Sequence, residues 1–297
     1  MPIVSIGMPV FNADDYIEAA IDSILAQTFE DYELIISDNG STDNTEAICR
    51  SYQAHDERIC YFRHQENLGA AWNHNFVYLK SSGRYFRWHS HDDICSPEYL
   101  DKCVPVLEEQ PGAVLTYPAT TIIDSEGRIT DIYDDRLSLN EKLPHQRLKH
   151  YLQNVRMCNP VLGLIRSNAL ANTHLLGAYI SADKVLLAEL ALQGRFIELP
   201  YRIFYRRVHA QKSTVANRTN RERAAWFSPA NADSIVYMPN LRLFIEQVRV
   251  TLTAQLSIKE RISCVAVISA HWTNTAMMKI IRICRRKLRG MMLYVWQ

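Results

Sequence analysis

Residues 3–43, which read IVSIGMPVFNADDYIEAAIDSILAQTFEDYELIISDNGSTD, decide the fold of this chain. Ile3–Val10 and Tyr32–Ser37 are short apolar runs, and each is predicted to be a buried strand. Between them, Asp14–Gln27 repeats apolar residues at the spacing of an amphipathic helix. A strand, a helix and a strand in this order predict two parallel strands joined by a crossover helix.

The same alternation continues through the next fifty or so residues, to about position 90. Helices are predicted at Asp43–Tyr52 and Gly69–Lys80, and strands at Arg58–Arg63 and Arg84–Ser90. We therefore expect an α/β fold with a mixed, mostly parallel sheet flanked by helices. Further on, the patterns predict strands at Val114–Ile123, Arg128–Tyr133, Val161–Arg166 and Glu198–Arg206, and a helix at Asp183–Gln193.

The C-terminal part of the chain has a different pattern. Ala216–Ser234 is polar and is predicted to be a linker or a flexible loop, and the residues from Ile235 onward are predicted to form helices. We assign residues 1–215 to the main domain and residues 216–297 to a linker and a helical C-terminal extension.

Composition and charge restrict the class of protein. The net charge of +1 over 297 residues argues against a nucleic-acid-binding protein. The seven cysteines are scattered and form no C-x-x-C pair, which favours reduced thiols in the cytoplasm over zinc ligands or disulfides. No stretch approaches the roughly 18 apolar residues of a membrane span, and no basic stretch precedes the first apolar run. We expect a cytoplasmic protein that is soluble or, at most, peripheral to the membrane.

Met277–Trp296 mixes basic and apolar residues. Six Lys or Arg side chains alternate with apolar ones, and Tyr294 and Trp296 stand at the end. Such a helix suits the anionic inner face of a membrane, and it equally suits packing against the main domain with a solvated basic face. The sequence leaves both interpretations open.

Polar residues follow each of the first four predicted strands. They lie in the segments Pro9–Asn12, Ser37–Asp43, Asn67–Gly69 and His89–Asp93. Ligands of open parallel sheets bind at the carboxyl ends of the strands, so these loops are predicted to form one site.

Asp92 and Asp93 are the sharpest local feature of these loops. Two adjacent carboxylates at the end of an apolar strand favour a divalent cation such as Mg²⁺ or Mn²⁺, which would also bridge a diphosphate. The alternative is a cap for a helix that begins near Pro97. Asp38 could accept a hydrogen bond from a nucleobase or serve only as a turn residue, and Phe11 could stack on a base or pack in the core.

The chain resembles the GT-A-fold glycosyltransferases known as family 2. The resemblance rests on four motifs in order: VSIGMPVFN at 4–12, ELIISDNGSTDNT at 33–45, ENLGAAWNHN at 66–75 and FRWHSHDD at 86–93. It runs over Val4–Leu100 and resumes near Ser181–Ser213. It implies that Asp38 contacts the base and that Asp92 and Asp93 belong to the D-x-D-type motif for ribose, diphosphate and metal. Other residues implied at the donor site are Pro9, Phe11, Asn12, Asn67 and Gly69.

This sequence departs from the family pattern in three places. Ser90 stands where the family usually has a carboxylate, and His74 stands where many members have an arginine that would help to neutralise phosphate. Asp183 matches the second acid of the pair that supplies the catalytic base, but the first acid is Ala182 here. The alternative for Asp183 is a helix N-cap.

Three residues at and after the end of the last predicted strand complete the expected site. His209 resembles the family's late histidine, which reaches the metal or diphosphate, and its alternative is a surface loop histidine. Arg206 and Arg207 could pair with phosphate oxygens. We thus predict Asp93 and His209 as metal ligands, and Asp92, His74, Arg206 and Arg207 as donor-binding residues.

The expected activity is an inverting transfer of a sugar from a nucleotide diphosphate-sugar, commonly a UDP-sugar, to a saccharide or lipid-linked acceptor in surface polysaccharide synthesis. Two alternatives stay open. The first is a nucleotide-sugar-binding subunit without catalysis, which Ala182 and Ser90 favour. The second is a nucleotidyltransferase, against which stands the absence of a Gly-rich, Lys-bearing phosphate loop after the first strand.

Overall fold

The structure is a computed structural model that describes residues 1–229 and 238–294, with the backbone alone for residues 213, 214, 276 and 278–294. Its strands are β1 (Val4–Val10), β2 (Tyr32–Asp38), β3 (Ile59–Arg63), β4 (Tyr85–Trp88), β5 (Ile94–Cys95), β6 (Ala113–Ile123), β7 (Ile129–Tyr133), β8 (Leu164–Arg166) and β9 (Arg195–Arg207).

Helices cover both faces of the sheet formed by these strands. They are α1 (Ile17–Leu25), α2 (Thr45–His55), α3 (Ala70–Leu79), α4 (Tyr99–Glu109), α5 (Pro144–Asn154), α6 (Ser167–Ala171), α7 (Ala182–Gln193), α8 (Ser213–Ala216), α9 (Asn220–Phe227), α10 (Pro239–Thr253) and α11 (Ile258–Tyr294).

The strands form one mixed sheet in the order β3-β2-β1-β4-β8-β6-β9-β5, and β7 pairs with β6. The first four strands in this order are parallel, as the alternation of strands and helices predicts. β8 is antiparallel to both β4 and β6, so it joins the parallel half to the rest of the sheet. The predicted α/β fold with a mixed sheet is confirmed.

Alternating side chains of β1 and β2 build two cores, one on each face of the sheet. Ile6 and Leu34 pack with α1 and α4 in the first core, whereas Ile35 packs with α3 and α7 in the second. At Gly7 the second face comes so close to α3 that an added Cβ would lie 2.6 Å from a Val77 methyl carbon. This close packing fixes the start of α3 beside the ends of β1 and β2.

Two predicted elements differ from the structure. The polar segment Ala216–Ser234 is not simply a linker, because Asn220–Phe227 forms α9. Thr219 and Glu222 form a reciprocal capping box that supports this short helix. Val161–Arg166 is a strand only from Leu164, because Asn159–Leu162 forms a turn of 3₁₀ helix with Pro160 near its start.

The C-terminal helices pack on the main domain over the part whose side chains are described. Cys264 and Ile268 of α11 are buried in the second core, and Trp272 Nε1 donates to Gln247 Oε1 at 2.9 Å. Within the described residues, no helix is both long enough and apolar enough to cross a membrane. The basic side chains after Met277, and Tyr294 and Trp296, lie outside the described residues, so the predicted membrane contact stays a prediction.

Candidate active site

The loops that follow β1 and β2 are tied together by side chain to backbone hydrogen bonds. Asn12 has a left-handed backbone (φ 48°), its N–H donates to Ser41 Oγ at 2.9 Å, and its Oδ1 accepts from Thr42 N at 2.9 Å. Pro9 is buried in β1, where it pairs with Ser37 of β2. Phe11 is 41% exposed, so its ring is available at the surface and the core-packing alternative does not hold.

Asn39 joins these two loops to the loop after β3. Its Nδ2 donates to Asn67 Oδ1 at 2.9 Å, and its Oδ1 accepts from Leu68 N at 3.0 Å. Asn67 Oδ1 also accepts from Gly69 N at 2.9 Å, and Gly69 has a positive φ of 91° that favours glycine. The predicted convergence of the loops is therefore present, and Asn39 is a site residue that the sequence analysis missed. Its signal was hidden because Asp38-Asn39-Gly40 has the composition of an ordinary turn.

Asp38 is fully buried at the end of β2. Its Oδ1 accepts from Ser41 N at 2.8 Å and its Oδ2 accepts from the Tyr61 hydroxyl at 2.7 Å. Burial, and then the hydrogen bond to Asp38, raise the pKa of Tyr61 well above its usual range, so this hydroxyl stays a donor. Asp38 therefore stabilises the turn that follows β2. Its contact with a nucleobase stays a prediction, and that contact would use the remaining lone pairs on its carboxylate oxygens.

Asp92 and Asp93 are both buried at the turn after β4. Asp92 Oδ1 accepts from Ser90 Oγ at 2.5 Å, and Asp92 Oδ2 lies 3.0 Å from His209 Nε2. Asp93 Oδ1 accepts from the backbone N–H of Arg207 at 2.8 Å. The pair therefore faces the end of β9, and His209 is not a surface loop histidine, because its side chain is only 5% exposed.

Lys212 lies between the two carboxylates and is a second site residue that the sequence analysis missed. Its Nζ lies 3.2 Å from Asp92 Oδ2 and 3.4 Å from Asp93 Oδ1, and it donates to the carbonyl of Arg207. No local pattern marks this lysine, because it is separated from the aspartates by more than a hundred residues and stands in a polar loop.

The two aspartates have opposite pKa shifts. Burial disfavours the charged form of Asp92, but the hydrogen bond from His209 and the charge of Lys212 hold its pKa well below the usual range. Burial and the neighbouring charge of Asp92 raise the pKa of Asp93 to about 6. At neutral pH, Asp92 is thus the firmly ionised member of the pair.

Arg207 is buried beneath this pair rather than extended toward a ligand. Its Nε donates to Asp92 O at 2.9 Å, and its Nη1 donates to Asp124 O at 3.0 Å and Ser125 O at 3.1 Å. Its Cζ lies 4.8 Å from the centre of the Tyr16 ring. The guanidinium therefore holds the carboxylate turn against the β6–β7 connection, and its predicted phosphate contact stays untested.

Arg206 points to the other face of β9 and donates to the side chain of Asn159. Burial raises the pKa values of Asp93, Asp135 and Cys158, and the positive charge of Arg206 opposes this rise at each of them. Arg206 is half-exposed and remains a candidate for contact with phosphate.

Asp183 is the second residue of α7, and Ser181 is the residue at the N-cap position, so the N-cap alternative for Asp183 does not hold. After burial, the Asp183 carboxylate raises the pKa of the Cys158 thiol, to which it is hydrogen-bonded. It also interacts electrostatically with His74, and His74 in turn with His91, which faces Asp92 and His209. The role of Asp183 as the catalytic base stays a prediction.

His74 cannot supply the phosphate charge that an arginine would bring. Its Nδ1 is 2.8 Å from Ala70 O, and burial lowers its pKa to about 4. His74 is therefore a neutral imidazole at pH 7. Its remaining predicted role is a hydrogen bond between a ring nitrogen and the nucleotide-sugar.

Fold and site together define an α/β protein whose buried carboxylates and hydrogen-bonded loops lie at the carboxyl ends of parallel strands. Residues 5–176 match the profile of the family described as Glycosyl transferase family 2, which is more than half of the chain. The chain belongs to that family.

Individual relatives agree with this assignment. The chain is 38% identical over 126 residues to an uncharacterized glycosyltransferase of Rickettsia typhi, covering 42% of this chain and 38% of that protein. It is 33% identical over 145 residues to the putative teichuronic acid biosynthesis glycosyltransferase TuaG of Bacillus subtilis, covering 46% of this chain and 57% of that protein. The matched stretch thus spans less than two thirds of either relative.

Among solved structures, TarS 1-349 of S. aureus in complex with UDP-GlcNAc is similar in fold. The TM-score is 0.66 at 16% identity, and the likeness covers 90% of this chain and 72% of that one. At this identity the likeness shows the GT-A fold alone, and the predicted fold family is confirmed.

Proposed function

We propose that this protein is an inverting glycosyltransferase that moves a sugar from a UDP-sugar to a saccharide or lipid-linked acceptor in surface polysaccharide biosynthesis. One observation carries the proposal: hydrogen bonds join the loops after β1, β2 and β3 at one edge of the sheet, and a buried carboxylate pair follows β4, the strand that pairs with β1. The UDP-GlcNAc complex of TarS supports uracil as the base, and the name of TuaG supports a polysaccharide product.

The nucleoside end of the donor would lie on the loops that follow β1, β2 and β3. Phe11 offers an exposed aromatic ring there, and the Asp38 carboxylate lies at the end of the neighbouring strand. The hydrogen bonds from Asn39 to Asn67 keep these loops in place before any ligand arrives. Such pre-organisation lowers the entropy cost of binding.

The transfer step needs a base for the acceptor and a stabilised leaving group. In this proposal Asp183 takes the proton of the acceptor hydroxyl while the hydroxyl oxygen forms a bond to the anomeric carbon. The bond from that carbon to the diphosphate oxygen breaks, and its electron pair leaves with the nucleoside diphosphate. A single displacement of this kind inverts the anomeric configuration.

The position of Asp183 supports this role. It stands at the start of α7, and its carboxylate interacts with Cys158 and His74 on two sides. His74 is fixed in turn, because its carbonyl accepts from Trp88 Nε1 at 2.9 Å. The start of α7 is therefore linked to the end of β4, where the sugar-diphosphate bond would lie.

The predicted Mg²⁺ or Mn²⁺ ion has suitable ligand types here, but the position between them is filled. Asp92, Asp93 and His209 offer the oxygen and nitrogen atoms that such ions accept. However, the ammonium group of Lys212 contacts both carboxylates. Among the side chains that the structure describes, no three His, Cys, Asp or Glu residues are arranged to share one metal ion. As they stand, these residues do not fit a resident ion, and the ligand roles of Asp93 and His209 stay predictions.

A lipid-linked acceptor would agree with contact between α11 and the inner face of the membrane. The argument comes from the basic and apolar composition of Met277–Trp296 and from exposed apolar side chains on α10 and the first part of α11, among them Leu241, Ile245 and Ile262. Flotation of the purified protein with anionic and with neutral vesicles tests this part. We expect the protein to bind the anionic vesicles and not the neutral ones. If it binds neither, the proposed membrane contact is wrong.

The first experiment for the proposed function is a thermal-unfolding screen against UDP, GDP, dTDP and CDP, with EDTA and with Mn²⁺. A ligand that binds only the folded state raises the unfolding temperature. We expect a shift with UDP and a smaller or no shift with the others. The UDP-sugars that also stabilise the protein are then tested for release of UDP with candidate acceptors.

Either failure has a distinct meaning. If none of the four nucleotides shifts the unfolding temperature in either condition, the proposed donor class is wrong. If UDP binds but no UDP-sugar is turned over with any acceptor, the binding subunit without catalysis becomes the better description.

A further inference from the structure

Lys212 occupies an unusual position for a lysine. Its side chain is only 9% exposed, and its Nζ is surrounded by oxygen atoms of Asp92, Asp93 and Arg207. Lysine is rarely buried unless its charge is paired, because removal of an ammonium group from water is costly. Here the pairing is made by two carboxylates that would otherwise repel each other.

The backbone holds Lys212 in this position. The strand β9 ends at Arg207, where Val208 N donates to Ile123 O at 2.8 Å, and a turn follows in which Lys212 N donates to His209 O at 3.2 Å. The carbonyl of Lys212 then accepts from the N–H groups of Val215 and Ala216, both at 2.8 Å. The ammonium group is thus delivered to the carboxylates from an ordered turn and not from a long free loop.

The ammonium group lies where a divalent ion would have to lie. An ion at the position of the ammonium group would use Asp92 Oδ2 and Asp93 Oδ1, which are the two carboxylate oxygens that Lys212 contacts. A divalent ion coordinates oxygen at about 2.0–2.2 Å, so it and the ammonium group would be in contact and would repel each other strongly. The two cations are therefore mutually exclusive occupants of this position.

We propose that Lys212 serves as the cation of this donor site: it neutralises the Asp92–Asp93 pair and allows a nucleoside diphosphate to bind without a divalent metal ion. The inference rests on the proposed function in one respect, because the ligand is the nucleoside diphosphate part of the donor. A lysine brings one positive charge where a metal ion brings two.

The test compares the full chain with Lys212→Met, which keeps the length of the side chain but removes its charge, and with Lys212→Arg, which keeps a cation. Binding of UDP is measured by calorimetry in EDTA and in Mn²⁺. Binding of Mn²⁺ alone is measured by the electron paramagnetic resonance signal of the free ion, without any nucleotide.

We expect the unaltered protein and Lys212→Arg to bind UDP in EDTA, with less than about a threefold change when Mn²⁺ is added. We expect Lys212→Met to bind UDP at least about tenfold more weakly in EDTA, since a loss of one charge-assisted contact is worth about that factor. Mn²⁺ should restore its UDP affinity, and its affinity for Mn²⁺ alone should rise at least about tenfold. Recovery by Mn²⁺ also shows that the variant is folded.

Two results would overturn the inference while they leave the proposed function intact. One is UDP binding by the unaltered protein in Mn²⁺ but not in EDTA. The other is an equal affinity of the unaltered protein and Lys212→Met for Mn²⁺ alone. An absence of UDP binding in every protein and condition would instead contradict the proposed function.

Discussion

Replacement of Arg207 by methionine tests whether this arginine is part of the architecture or a phosphate ligand. Its guanidinium makes three hydrogen bonds to the carbonyl oxygens of Asp92, Asp124 and Ser125 and lies over the ring of Tyr16. Hydrogen bonds that involve a charged group contribute about 1.5–3 kcal/mol each, and such contributions are not additive. Methionine fills most of the volume but makes none of these bonds and leaves the carbonyl group of the buried Asp92 without this donor.

We therefore expect Arg207→Met to lower the free energy of unfolding by about 3–5 kcal/mol. For a chain of this size, 1 kcal/mol corresponds to about 2 °C in unfolding temperature, so the expected decrease is about 6–10 °C. The assay is differential scanning calorimetry without any ligand, supported by urea unfolding at 25 °C.

Arg206→Met is the matched control, since it lies next to Arg207 on the same strand. Arg206 is half-exposed and donates to a single side chain, that of Asn159, so its loss should cost about 1 kcal/mol and about 2 °C. If Arg207→Met unfolds within about 2 °C of the unaltered protein and loses only its affinity for UDP, the architectural role is refuted. Arg207 would then be a phosphate ligand.

Three further predictions concern charges in and beside the site. Asp183→Asn should leave UDP affinity unchanged in calorimetry but slow transfer at least about 100-fold, since general base catalysis contributes about that much; an active variant would make another residue the base. His74 has a pKa of about 4 and is therefore neutral above pH 6. The UDP affinity of His74→Gln, divided by that of the unaltered protein, should thus stay constant between pH 6 and 8. A ratio that varies with pH would show a charged imidazole. Burial raises the pKa of Asp135 from 3.8 to about 7, so the folded state favours the protonated acid and the free energy of unfolding falls as the pH rises from about 4 to 7. Asp135→Asn should not show this fall and should be more stable than the unaltered protein by up to a few kcal/mol at pH 8. Equal pH profiles of the two proteins in thermal unfolding would contradict this prediction.

The sequence alone determined the N-terminal half of the fold. Apolar runs such as Tyr32–Ser37 and helical periodicity such as that of Asp14–Gln27 are local signals, and local signals specify whether a segment is a strand or a helix. Their alternation also implied parallel pairing, and parallel pairing implied that the loops after the strands share one edge. For this reason the sequence predicts that the loops after the first four strands form one site.

The helix within Ala216–Ser234 was not predicted, because this segment lacks such a local pattern. Its composition is polar, and no apolar periodicity marks the helix Asn220–Phe227. The capping box of Thr219 and Glu222 is a local signal that could have been read, because it has the spacing that this motif requires.

Only the tertiary structure decided which charges meet. The sequence predicted Asp92 and Asp93 as a pair in need of a cation, but it gave no reason to choose Lys212, which the folded chain places between them. Arg207 was predicted to face a ligand and instead lies beneath the carboxylate turn. Local pattern determines elements and loops because it depends on neighbours in the chain. The partner of a buried charge depends on which distant segment packs against it, and that is fixed only when the whole sheet has formed.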